Sequence, residues 1–258
     1  MAETEELEEL VEDDEATPAD ELEGAQVDEL EGGRVEELDS ETRARRDAAL
    51  RHVRKLGDPV LRASALPVDR FDEALRSEIE RMGELMGDAL GIGLAANQIG
   101  VLHQLLVYRA DPEDPLTALI NPVLEWSSEE TEIASEGCLS IPFVHVEVER
   151  PTEVRVRARD AQGKELKVQA SGLTARVIQH EMDHLDGVLM IDRIPREERK
   201  QAMRTMREAL QAGSEAAGGV DRVARNAGEA EHDAGDVPPD PSEAYSAAGE
   251  SVSDANPA

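Results

Sequence analysis

Residues 144–186, from Val144 to Asp186, read VHVEVERPTEVRVRARDAQGKELKVQASGLTARVIQHEMDHLD. Apolar residues alternate through Val144, Val146 and Val148, then through Val154, Val156 and Ala158, and again through Leu166, Val168 and Ala170. A period of two predicts antiparallel hairpins, with Asp160-Ala161-Gln162-Gly163 as one turn. At Ser171-Gly172 the pattern becomes helical. Leu173, Val177, Ile178 and Leu185 are available for packing on a helix over 173–186, and Gly187 suits its C-terminal cap. Upstream, Phe71, Leu75, Ile79, Met82 and Met86 space a helix that Gly91 and Gly93 end. A shorter helix is expected over 43–55, before the break at Gly57-Asp58-Pro59, and a last one over 195–211. Residues 101–108 and 116–124 read as buried strands around a turn at Asp111 to Pro115. Helix, strands and helix in that order, without βαβ alternation, indicate an α+β fold. The expected architecture has antiparallel strands packed around the central 173–186 helix, with a C-terminal helix after it.

That central helix contains His180-Glu181-Met182-Asp183-His184. Residues four apart lie on one helical face, so both imidazoles can reach one metal ion. Glu181 projects about 100° round from His180, where a carboxylate can act as general base for a metal-activated water. The duller alternative is two surface histidines on an ordinary helix. A zinc protease of the HExxHxxGxxH type is excluded, because Met190 stands where the third histidine belongs. A glutamate ligand from the following helix, Glu197, Glu198 or Glu208, is not excluded by spacing. Cys138, the only cysteine, lies in Glu136-Gly137-Cys138-Leu139-Ser140 with Pro142 just beyond. We read it as the third ligand, since a Cys-His-His set leaves a fourth position open for water. Ferrous iron, zinc, nickel and cobalt all suit these donors.

Charge is uneven along the 258 residues. Residues 1–40 hold 18 acidic side chains and one basic, and residues 213–258 hold 10 and two. Removing −17 and −8 from the formal −31 leaves −6 for residues 41–212. The expected organisation is an acidic, unstructured extension over 1–47, a catalytic domain over 48–211 and an acidic, unstructured tail over 212–258. Such a chain is poorly suited to broad nucleic-acid binding. A lone cysteine makes no internal disulfide. No basic patch followed by an apolar run opens the chain, and the apolar stretch at 90–107 is broken by Gly91, Gly93, Asn97, Gln98, Gly100, His103 and Gln104. The expectation is a cytoplasmic protein with no membrane span.

Three segments together resemble one family. Gly91-Ile92-Gly93-Leu94-Ala95-Ala96-Asn97-Gln98, Glu136-Gly137-Cys138-Leu139-Ser140 and Gln179-His180-Glu181-Met182-Asp183-His184-Leu185 look like the three motifs of peptide deformylases. Gly57-Asp58-Pro59-Val60-Leu61-Arg62 resembles that family's N-terminal segment, and the likeness covers about residues 50–210. The resemblance implies removal of the formyl group from the formylmethionine of nascent polypeptides, by a monomer holding one divalent ion, ferrous iron first. It implies Cys138, His180 and His184 as ligands and Glu181 as the group that takes and returns the proton. The oxyanion would be met by the metal, the Leu139 N–H and the Gln98 amide. Gly91, Ile92, Gly93 and Leu94 would hold the peptide, with Ile92, Leu173 and Val177 around the methionine. Glu136 and Asp183 would orient the ligands. Phe143 stands where many members of the family have glycine, and His145 where some have an arginine. The last helix, with Arg196, Arg199, Lys200, Arg204 and Arg207, is either a ribosome-docking element near the exit tunnel or a solvated mixed-charge helix.

Overall fold

The computed structural model describes residues 38–228, with side chains to residue 212. The acidic extensions therefore lie mostly outside the described residues. Four α-helices occur among those described: α1 Ser40–Leu50, α2 Glu73–Asp88, α3 Gly172–Leu185 and α4 Arg196–Gly228. Seven strands lie between α2 and α3: β1 Gly93–Ala95, β2 Leu105–Tyr108, β3 Thr117–Ser127, β4 Thr131–Cys138, β5 Ile141–Pro151, β6 Glu153–Arg159 and β7 Glu165–Ser171. Among the described residues no helix is long and apolar enough to cross a membrane.

Local chemistry sets the helix ends. Asp39 accepts hydrogen bonds from the Glu41 and Thr42 N–H groups, both at 3.0 Å, so α1 starts before Arg43. It stops short of Lys55 because residues 54–56 bond to distant backbone instead, as described below. Asp72 caps α2 through the Leu75 N–H, and Leu75, Ile79, Met82 and Met86 form its buried stripe. At the end of α3, Gly187 at φ +74° donates to the His184 carbonyl while Val188 donates to that of Asp183. This Schellman closure also needs glycine sterically: a Cβ on Gly187 would come within 2.7 Å of the Arg62 carbonyl oxygen. The last helix runs past the expected end at Gln211 to Gly228.

The strands form two sheets. Five pair antiparallel in the order β1-β2-β3-β6-β7, while β4 and β5 make a separate two-stranded sheet. The β6–β7 hairpin turns at Asp160 to Gly163, as its alternation predicts. The valines of β5 and β6 do not share a hairpin. Proline at 151 ends β5, and the next strand joins β3, with Leu124 opposite Val156. Val144, Val146 and Val148 pack with Leu61, Met190 and Ile191, whereas Val154, Val156 and Ala158 pack with Val177 and Ile178 of α3. Register shifts in β3 leave Val123 and Leu124 exposed, against the expectation of a buried strand. Helix α3 thus lies against the five-stranded sheet, and the β4–β5 hairpin brings Cys138 to it.

Candidate metal centre

Helix α3 supplies His180 and His184, both buried, with ring centroids 5.0 Å apart and planes at 71°. Cys138 ends β4, where a register shift after Glu136 turns the strand toward the helix. Its Sγ lies 3.3 Å from His184 Nε2. One donor atom from each of Cys138, His180 and His184 falls within 4.8 Å of the others. No other group of three or more potential ligands occurs among the described residues, so Glu197, Glu198 and Glu208 stand apart. Two donors bound tetrahedrally to one ion at about 2.0–2.3 Å stand roughly 3.3–3.8 Å apart. The sulfur–imidazole separation already falls in that span. A thiolate with two imidazoles fits a borderline-soft divalent cation.

A buried ionic network holds the histidines. Glu136 Oε2 accepts from His180 Nδ1 at 2.9 Å, which leaves Nε2 as the lone-pair nitrogen. The same carboxylate receives Arg150 at 2.5 and 2.9 Å and Arg176 at 3.0 Å. Burial alone would raise the Glu136 pKa, but the Arg150 and His180 hydrogen bonds hold it down at about 2. It is therefore an acceptor throughout the neutral range. Asp183 touches neither histidine side chain. It takes Arg150 at 2.9 Å and Arg193 at 3.0 Å, and so reaches His180 through Arg150 and Glu136. Asn97 donates to the His184 carbonyl, fixing the last turn of α3 to the turn after β1.

Glu181 is buried, and its Oε2 has no hydrogen-bond partner. Burial raises its pKa to about 7, which a cation beside it would oppose. Gly93 makes room for this side chain: a Cβ there would stand 2.5 Å from Glu181 Oε1 and 2.9 Å from Val177 Cγ1. Gln98 lies in the 3-10 turn after β1. Its Oε1 accepts from the Ala95 N–H at 2.8 Å, so its Nε2 faces Ser140 Oγ at 3.2 Å and Cys138 Sγ at 3.7 Å.

These groups open onto a cavity of about 140 Å³. Gly91, Ile92, Gly93, Leu139, Leu173 and Val177 line it beside Gln98, Cys138, His180 and Glu181. Leu94 does not. Its side chain is fully buried against Met82, Met86 and Leu105, because alternation along β1 turns it to the opposite side from Gly93. His145 lines the cavity, while Phe143 is exposed at φ +65°, a conformation suited to glycine.

Arg150 and Arg176 are absent from the sequence-based site. Arg150 continues the inward series Val144, Val146, Val148, and an arginine at an inward position signals a buried partner. Arg176 precedes His180 by four residues and so shares its face.

A family model for polypeptide deformylase matches residues 50–200. A peptide deformylase of a Parafrankia species is 44% identical over 161 residues, covering 62% of this chain and 87% of that protein. One from Thermotoga neapolitana is 51% identical over 142 residues, covering 55% and 85%. Among solved structures, a Synechococcus elongatus peptide deformylase in complex with actinonin has a TM-score of 0.57 at 47% identity, covering 60% of this chain and 84% of that one.

Proposed function

We infer the chemistry of this site from one premise: the chain belongs to the polypeptide deformylase family. The enzyme removes the N-terminal formyl group from newly synthesised polypeptides and releases it as formate. The roles of individual residues are our proposal. One observation carries it: three metal-type donors converge where the buried Glu181 carboxylate, its Oε2 without a hydrogen-bond partner, meets an apolar cavity.

Cys138, His180 and His184 would hold one divalent ion, which would supply a Lewis acid for the formyl oxygen and lower the pKa of a bound water. Ferrous iron is the first candidate, with zinc, nickel and cobalt fitting the same donors. Glu181 takes a proton from the attacking water as the new C–O bond forms. It returns that proton to the leaving nitrogen as the C–N bond breaks, so the products are formate and a free amine. Its burial matches the task, since a carboxylate raised toward neutrality can both accept and donate. Gln98 Nε2 and the Leu139 N–H would meet the developing oxyanion. The Ala95 N–H supports this by fixing the Gln98 amide with its NH₂ toward the sulfur. Gly91 and Gly93 keep the channel open for an extended peptide, and Ile92, Leu173 and Val177 would enclose the methionine side chain.

Helix α3 would be the central element of the catalytic unit, and the acidic segments would be appendages to it. We further propose a monomeric, bacterial-type cytoplasmic enzyme that works near the ribosomal exit tunnel. In α4, Arg199 binds the Ile191 carbonyl and Lys200 pairs with Glu197. A ribosomal contact would therefore use the exposed Arg204 and Arg207. Reversing both charges should release the enzyme from sedimenting ribosomes.

The decisive experiment is formate release from formyl-Met-Ala-Ser by anaerobically purified protein, with metal content measured on the same sample. Turnover without a bound metal, or full metal retention in Cys138→Ala, would end this reading.

A further inference from the structure

The segment between α1 and the first 3-10 turn straps together the two turns assigned to oxyanion binding. The Arg54 N–H donates to the Gln98 carbonyl at 2.6 Å, and the Leu56 N–H donates to the Ser140 carbonyl at 2.9 Å. Between them, Lys55 Nζ donates to the Leu139 carbonyl at 2.8 Å. The Arg54 guanidinium lies over Gly100, where a Cβ would meet Nε at 2.8 Å, so the strap closes over the Gln98 turn from that side too. The two turns belong to different sheets. Gln98 follows β1 of the five-stranded sheet, and Leu139 joins β4 to β5.

Leu139 and Ser140 are the whole connection between β4 and β5. The Leu139 N–H belongs to the Cys138–Leu139 peptide, so its distance from Gln98 depends on where this two-residue turn is held. A charge-assisted hydrogen bond is about twice as strong as a neutral one, so an ammonium on the Leu139 carbonyl resists displacement of the turn. Lys55 is half-buried, which limits competition from water. Burial lowers its pKa while the Cys138 sulfur opposes that fall, as expected of electrostatic neighbours.

We propose that Lys55 is a positioning residue for deformylation: through the Leu139 carbonyl it holds the β4–β5 turn, and with it the Leu139 N–H, at a fixed distance from Gln98. The proposal rests on the oxyanion roles given above to Gln98 and Leu139. Since the oxyanion exists only as the reaction proceeds, loss of Lys55 lowers kcat and spares KM.

The test compares Lys55→Met, Lys55→Gln, Lys55→Arg and Gln98→Ala as metal-loaded enzymes, with formyl-Met-Ala-Ser as substrate. Lys55→Met and Lys55→Gln should each lose about tenfold in kcat, with KM within about twofold and metal content unchanged. Two neutral variants are used so that misfolding of one does not decide the matter. Lys55→Arg, which keeps a cationic donor, should recover to within about threefold of the parent. Gln98→Ala should lose roughly 10²-fold or more. If Gln98→Ala loses activity while the neutral Lys55 variants keep theirs, the strap is wrong and the oxyanion assignment stands. A loss that follows metal content, or that arginine does not restore, also overturns the strap. Full activity in Gln98→Ala brings down the oxyanion assignment, and the strap with it.

Discussion

Gly93→Ala tests whether the cavity is built around the Glu181 carboxylate. The added Cβ would stand 2.5 Å from Glu181 Oε1, whereas ordinary contact begins near 3.4 Å. Relief requires a displacement of about 0.9 Å, the difference between those two distances. Val177 blocks one route, its Cγ1 being 2.9 Å from the same point, and burial of Glu181 closes the route to solvent. The carboxylate itself has to move. A misplacement near 1 Å costs about 10²-fold in rate, close to the lower bound for removing a general base altogether. The proposed ligands Cys138, His180 and His184 are untouched, so metal content should equal that of the parent. Formate release under saturating formyl-Met-Ala-Ser gives kcat directly. Because the substitution acts through Glu181, combining it with Glu181→Gln should slow the enzyme no further than Glu181→Gln alone. A kcat within about threefold of the parent, or a double variant showing the product of both losses, would refute the reasoning.

Four further outcomes are expected. Glu181→Gln should lower kcat by about 10²–10⁴-fold and keep the metal, as measured by elemental analysis. Arg150→Met leaves the Glu136 and Asp183 carboxylates without their shared cation, and should cost roughly 3–5 kcal/mol in urea unfolding; a cost under about 1 kcal/mol would show the network to be dispensable. Burial would raise the Asp192 carboxyl, but the hydrogen bond from Arg62 holds it below the ordinary range. The stability from a depressed folded-state pKa is present above the unfolded value and is lost as pH falls through the folded one, so Asp192→Asn should flatten the acid side of a Tm-against-pH curve below the ordinary carboxyl value of 3.8 and leave its shape at neutral pH unchanged. Chelation should abolish formate release and re-addition of ferrous iron under anaerobic conditions should restore it; activity that survives chelation with no bound metal would exclude the donor cluster as the working centre.

What sequence reasoning captured was local. The stripe Leu75, Ile79, Met82, Met86 is legible because neighbours on a helix are neighbours in sequence. The same holds for His180 and His184, whose four-residue spacing is itself the geometry. Alternation along β5 and β6 shows which residues face inward but not which strand lies alongside. The split into two sheets was therefore invisible, and Pro151 was its one hint. Leu94 reads in sequence like its loop neighbours, although alternation sends its side chain to the core. Arg150 and Arg176 are not legible as site residues because arginines on strands and helices usually point to water; only partners from distant segments, Glu136 and Asp183, make burial tolerable. Lys55 acts 84 residues away in sequence, on a carbonyl no spacing rule could name.

The separate sheet that delivers Cys138 has a consequence for metal exchange. Both imidazoles ride on one helix, whereas the sulfur arrives on a hairpin tied to that helix through Arg150 and Arg176. With the hairpin seated, an ion would be chelated at three points; with it lifted, only a two-point histidine grip would remain. Ion off-rates would then report how often the hairpin detaches, and a cheap, local opening would leak metal long before the whole chain melts.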